Sequence, residues 1–156
     1  MIYIRTAKKD DAPALEALYT ELEKDAVFYQ PEHFVLSKAG ERTRQMEGLW
    51  NSDTQRMFVA EDDGELIGFA HVLFCKAKSI SCLKAQDNIY LRDLLVTERY
   101  RNQGTGTMLL NAAKQYGREM GADFFRTQVF PMNKDGLRFY ERNGFAQKMI
   151  TIECQL

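Results

Sequence analysis

A chain of 156 residues, 45% apolar and 28% charged, is long enough to bury one sizeable core, and residues 1–156 read as a single domain. A net charge of −1 gives no reason to expect a nucleic acid or an acidic membrane surface as partner. No run of about 18 apolar residues offers a membrane span, and MIYIRTAKKDD lacks the apolar centre of a secretory leader. Cys75, Cys82 and Cys154 are odd in number and lack ligand spacing, and only His33 and His71 could join them. Reduced thiols in a cytoplasmic protein and no metal are therefore expected.

Ile2-Tyr3-Ile4-Arg5 alternates as a short strand. Asp10 and Asp11 offer an N-cap and Pro13 suits a first helical turn. Leu15, Leu18, Tyr19 and Leu22 then recur as the stripe of an amphipathic helix. From Ala26 to Phe34, AVFYQPEHF breaks the pattern at Pro31, and its Phe28, Tyr29 and Phe34 predict a loop that walls an apolar pocket or packs on its own core. A second helix is predicted over Ser37 to Leu49, weakened by Gly40 and Gly48. RMFVAED and ELIGFAHVLFCKA flank Asp63-Gly64, the signature of a β-hairpin. In its second arm Ile67, Phe69, His71, Leu73 and Cys75 share one face and Ala70, Val72 and Phe74 the other. His71 on that apolar face reads as a hydrogen-bonded sheet residue rather than a catalyst.

Lys76 to Asn88 is a polar connection, and Ile89 to Val96 a strand. Behind it, RNQGTG (Arg101 to Gly106) opens a helix whose stripe is Met108, Leu109, Ala112, Ala113 and Tyr116. Gly104 and Gly106 let successive backbone N–H groups converge at the positive end of the helix dipole, with Arg101 beside them. A pyrophosphate suits such a loop. No Lys-Ser or Lys-Thr follows, so this is not a nucleotide P-loop, and Leu109 stands where a dinucleotide fingerprint needs its third glycine. A plain glycine-capped turn is the competing reading. Gly121 ends the helix, ADFFRTQVF is a strand stopped by Pro131, and Asn133 caps a helix that Gly144 terminates. FAQKMITIECQL alternates Met149, Thr151 and Glu153 against Ile150, Ile152 and Cys154, a closing strand. The order β-α-α-β-β-β-α-β-α-β predicts an α+β layered domain, a mixed and mostly antiparallel sheet flanked by helices.

These motifs together resemble the acetyl-CoA site of the GNAT superfamily of N-acetyltransferases. The signature is a strand ending in Val, then [QR]-x-x-G-x-[GA] at a helix start, matched by Leu94-Leu95-Val96 and by Arg101, Gly104 and Gly106 around Asn102, Gln103 and Thr105. Asn133 and Phe139-Tyr140-Glu141-Arg142-Asn143-Gly144-Phe145 match the family's downstream pattern. The resemblance implies acetyl-CoA, with the backbone of Leu94 to Val96 on its pantetheine arm and Arg101 to Gly106 on its pyrophosphate. It implies Asn133 on the cofactor arm and Tyr140 as proton donor to the sulfur. From periodicity alone Tyr140 would be a core aromatic and Asn133 a plain cap.

An alkylammonium must lose a proton before it attacks. Relatives that acetylate polyamines carry Leu-Glu-Asp on the central strand; here it reads Leu91-Arg92-Asp93. Arg92 cannot be a base and repels a polycation. Asp93 is the candidate base, Glu61 a second, and a salt-bridged or solvated carboxylate the competing reading of each. Arg92, Phe28, Tyr29 and Phe34 are the candidate acceptor-binding residues. The expected activity is direct acetyl transfer to an amine of a small molecule or protein, with a non-catalytic acyl-CoA-binding module and a CoA-free scaffold as rivals. A homodimer is left open.

Overall fold

The computed structural model describes residues 1–156. The strands are β1 (Ile2–Thr6), β2 (Gln55–Asp62), β3 (Glu65–Cys75), β4 (Asn88–Val96) and β5 (Phe124–Thr127), in that spatial order. β1 to β4 pair antiparallel and β5 joins β4 in parallel. The helices are α1 (Ala12–Tyr29), α2 (Glu41–Met46), α3 (Thr105–Glu119) and α4 (Lys134–Arg142).

The sheet separates two apolar layers. On one face Leu15, Leu18 and Tyr19 of α1 and Met46 of α2 cover Met57, Val59, Phe69 and Leu95. On the other, Leu109, Leu110, Ala113 and Tyr116 of α3 cover Ala60, Ile67, Ala70, Val72, Ile89 and Leu91, with Phe139 and Tyr140 of α4 at the margin. The stripe of α3 is turned from the one expected: Leu110 is fully buried while Met108 is 37% exposed.

Local chemistry explains most of the elements. Asp63 and Gly64 both take positive φ, 47° and 81°, the backbone of a tight hairpin turn. Gly121 and Gly144 follow α3 and α4 with φ of 76° and 90°. Asn133 caps α4 by accepting the Gly136 N–H at 2.9 Å. Asp11 stands before α1 but does not cap it. Its carboxylate instead accepts from the Lys8 N–H (2.7 Å) and from the Arg5 guanidinium (2.7 and 2.9 Å).

Other expectations are corrected. α1 runs on to Tyr29, so the aromatic segment begins as helix rather than loop. The second helix covers Glu41–Met46 alone. It is tied to α1 through carboxylates: Glu16 accepts from the Gly40 N–H and the Thr43 hydroxyl, Glu23 from the Ser37 N–H and Arg42. Strict alternation fails in β3. Ala60 pairs with Gly68 and Glu61 with Leu66, so Ile67 is an extra residue and packs with Ala70 and Val72 instead of with Phe69. A second bulge lies in β4, where His71 pairs with Asp93 and Val72 with Leu91, leaving Arg92 outside the count. The closing strand does not form: residues 146–156 pair with nothing in the sheet and are exposed throughout.

Candidate active site

β4 outlasts its parallel partner. The last rung joins Leu91 to Thr127, and the Thr127 hydroxyl donates to the Leu91 carbonyl at 2.9 Å. From Arg92 to Val96 the strand has no neighbour on that side. The Thr97 N–H bonds the Ile67 carbonyl across to β3, so by strand alternation the N–H groups of Leu94 and Val96 face the open side. The Leu95 side chain is buried under α1. The sheet therefore carries a seam edged by backbone donors.

At the end of the seam the chain turns through Glu98–Tyr100 into the glycine loop and α3. Asn102 and Gly104 take φ of 60° and 86°, which aligns consecutive amides on one side of the turn. None of the N–H groups of residues 102–107 finds an acceptor in the protein; the first paired amide of the helix is Met108, to the Gly104 carbonyl. Six adjacent free donors at a helix N-terminus fit an anionic diphosphate by chemistry and position. Gly106 serves a second purpose, since a Cβ there would lie 3.0 Å from the Phe139 ring. Thr105 is buried at 1% exposure and the Gln103 amide donates to the Arg99 carbonyl. The Arg101 Nε donates to the Val96 carbonyl (2.9 Å), and its Nη2 lies 3.5 Å from Glu21 and 3.8 Å from Asp25. Its charge thus also ties the loop to α1.

Two residues flank the seam from opposite faces. Tyr140 lies on the α3–α4 face, its ring against Phe139 (5.2 Å) and Phe145 (5.4 Å). Burial pushes its phenol up to about 12, offset in part by the Thr127 hydroxyl beside it. Asp93 lies on the α1 face, where its Oδ2 accepts from the Tyr19 hydroxyl at 3.1 Å and faces His71 Nδ1 at 3.7 Å. Burial, and then Asp93, raise the Tyr19 phenol far above its ordinary value, so it keeps its proton and donates to Asp93. Asn133 sits at the start of α4 with its Oδ1 engaged in the cap and its Nδ2 free to donate.

The remaining expectations divide. Tyr29 stacks on Phe130 at 5.5 Å and Phe34 meets the same ring edge-on at 5.6 Å, one cluster beyond the end of β5. Phe28 touches Tyr29 but is 79% exposed. Arg92 projects from its bulge, exposed. Glu61 is two strands from the seam and bonded to Tyr3 (2.6 Å) and Arg5 (2.7 Å), which removes it as a base. Sequence reading placed Phe130 at the end of the strand from Ala122 to Phe130; the strand covers only Phe124–Thr127, and Phe130 lies beyond it in the aromatic cluster. Sequence reading missed Tyr19 and Gln55, because polar contacts across elements leave no trace in periodicity. No three His, Cys, Asp or Glu side chains cluster as metal ligands, and no helix is long and apolar enough to cross a membrane.

The fold is shared with proteins of known structure. A variant of the BH1408 protein from Bacillus halodurans superposes with a TM-score of 0.92 over 99% of both chains at 19% identity. Aminoglycoside N-acetyltransferase AAC(6')-Iy in complex with CoA superposes with a TM-score of 0.80 over 100% of this chain and 95% of that one, also at 19% identity. Residues 15–145 match the model of the "Acetyltransferase (GNAT) family", so the chain belongs to that family. The uncharacterized N-acetyltransferase YhfO of Bacillus subtilis is 30% identical over 145 residues, 92% of this chain and 89% of its own. An uncharacterized N-acetyltransferase of Methanocaldococcus jannaschii is 26% identical over 94% of this chain, which spans 62% of that protein's length. The chain is accordingly an acetyl-CoA-dependent N-acetyltransferase that transfers acetyl to an amine.

Proposed function

We propose that the acetyl group moves directly to a primary amine, of a small molecule or a protein, in a ternary complex formed at the seam. The carrying observation is that Asp93 stands on the unpaired end of β4 on the α1 face, while Tyr140 lies on the opposite face beside Thr127, at the last rung between β4 and β5. A thioester entering from the α3–α4 face and an amine entering from the α1 face meet there without crossing. Acetyl-CoA, when bound, supplies the activated acyl group. The amides of residues 102–107 would hold its diphosphate, the N–H groups of Leu94 and Val96 would hold its arm and polarise the thioester carbonyl, and the Asn133 amide would donate to the arm. Asp93 takes the proton that an ammonium must lose. Tyr140 would face the sulfur. A phenol near 12 holds its proton more firmly than a thiol of about 8.5, so it would donate a hydrogen bond to the departing sulfur, and full transfer would follow only as the proton lost by the nitrogen replaces the one it gives up.

The acceptor site lies on the α1 face, between the aromatic cluster and the Arg92 bulge. A cation there selects an amine that is otherwise neutral or carries a carboxylate. The thialysine N-epsilon-acetyltransferase of mouse, 28% identical over 90% of this chain, is named for an amine that also carries a carboxylate, which supports this choice. The exposed, alternating segment 146–156 supports a homodimer. Release of CoA thiol, followed over polyamines, amino acids, aminoglycosides and peptide amines, tests the assignment. Carboxylate-bearing or neutral acceptors should give the highest kcat/KM, and a polycation as best acceptor would dismiss the role given to Arg92.

A further inference from the structure

Behind Asp93 lies a buried polar chain that the proposed reaction does not yet use. His71 is 7% exposed and is the direct cross-strand partner of Asp93 at the β4 bulge. Its Nε2 lies 2.9 Å from Gln55 Oε1 on β2. Its Nδ1 has no hydrogen-bond partner and lies 3.7 Å from Asp93 Oδ2. A carbonyl oxygen only accepts, so with Oε1 facing the ring the hydrogen of the neutral imidazole rests on Nε2 and Nδ1 is bare. Two acceptors then face each other, Nδ1 shut off from water and the Asp93 side chain 16% exposed, and the unfavourable contact disappears once one proton lies between them. Asp93 Oδ2 also accepts from Tyr19, while Oδ1 accepts nothing from the protein and is open to a ligand.

We infer that His71 is a positioning residue that shares one proton with Asp93, so that carboxylate and imidazole together take up the proton lost by the acceptor ammonium, with Gln55 fixing the ring. This deepens the reading of Asp93 as the base and rests on it. The balance closes. The ammonium gives its first proton to the pair and becomes a neutral amine. As C–N forms and C–S breaks, the nitrogen loses its second proton and the sulfur gains one from Tyr140, which is restored from that nitrogen through solvent. The pair then returns its proton to water. Around the pair, Tyr19 from α1 donates, Arg42 from α2 lies over the Tyr19 ring (4.3 Å), and Tyr90 and Arg92 precede Asp93 on β4.

The chain has only two histidines, which makes the test clean. In imidazole nitrogen NMR of the full chain, His71 should rest as the Nε2–H tautomer at alkaline pH and take its second proton at Nδ1. Asp93→Asn should move that uptake to lower pH, with His33 unmoved beside Glu153 as the internal control. His71→Gln places an amide donor on Asp93 and stabilises the bare carboxylate. The ascending limb of kcat/KM against pH should then shift to lower pH and kcat fall roughly tenfold, with calorimetric acetyl-CoA affinity unchanged. An Nδ1–H tautomer, or a His71 titration indifferent to Asp93→Asn, would overturn the shared proton whatever the activity. Intact coupling with full kcat in Asp93→Asn would instead overturn Asp93 as base, and with it the role of His71.

Discussion

Tyr140 and Gly104 make separable demands on the active site. Tyr140→Phe keeps the ring that packs against Phe139 and Phe145 and removes only the hydroxyl. Where chemistry limits the rate, kcat should fall by about 10²- to 10⁴-fold while calorimetric CoA affinity stays level. A kcat near wild type would leave the phenol as packing. At Gly104, no atom lies within 4 Å of where a Cβ would stand, so the protein itself has room for a side chain. A φ of 86° and the fan of free amides are what Gly104→Val disturbs. Its melting should drop by an equivalent of about 1–3 kcal/mol, and CoA affinity should fall beyond what that strain explains. Unchanged CoA affinity in the folded variant would place the diphosphate elsewhere.

Among the elements, α2 and the loop before it depend on two carboxylates of α1. Glu23 is 8% exposed; burial acts to raise its carboxyl, but the Ser37 N–H, the Arg42 guanidinium and the Ser37 hydroxyl outweigh burial and lower it. Asp11 is lowered chiefly by Arg5. A depressed carboxyl contributes stability that is complete above its unfolded value, about 4, and is lost as pH falls through the folded one. Unfolding free energy measured by urea titration should therefore decline below about pH 4, and Glu23→Ala should cost about 2 kcal/mol at neutral pH and flatten that decline. An equal decline in both proteins would remove Glu23 as a contributor. Elements fixed by their own residues were legible in the sequence: the Asp63-Gly64 hairpin, the Asn133 cap, the glycine loop opening α3. The extent of α2 was not, because its anchors lie on another helix. Nor were the bulges, since a two-residue alternation is silent about which strand holds one residue too many. That hid which side of the sheet Ile67 takes, and it hid the meeting of Asp93 with His71.

Taken whole, the molecule exposes more surface than its mass warrants. A compact 18.1 kDa monomer shows about 8,000 Å² to solvent, whereas this chain shows 10761 Å². Ile150 and Ile152 are 76% and 89% exposed, Met149 93%, and β5 leaves Phe124 half exposed at the sheet edge. The alternation in that segment predicted a closing strand that the structure does not form, because a strand needs a neighbour and this segment has none in its own chain. The excess is larger than the roughly 1,600 Å² that a standard interface buries. Light scattering should therefore return twice the chain mass at micromolar concentration, and Ile150→Asp with Ile152→Asp should halve it; a wild-type monomer would refute the pairing. The bulge at Arg92 has a different reach. Because that residue stands outside the strand's count, its side chain is free of the packing that constrains Leu91 and Leu95 on either side. Replacing it with Glu should shift stability by no more than about 0.5 kcal/mol in a thermal melt. If the acceptor site lies where we propose, Arg92 is thus a position beside it that the core does not police, and a lineage could exchange one acceptor for another there while the rest of the sheet stays as it is.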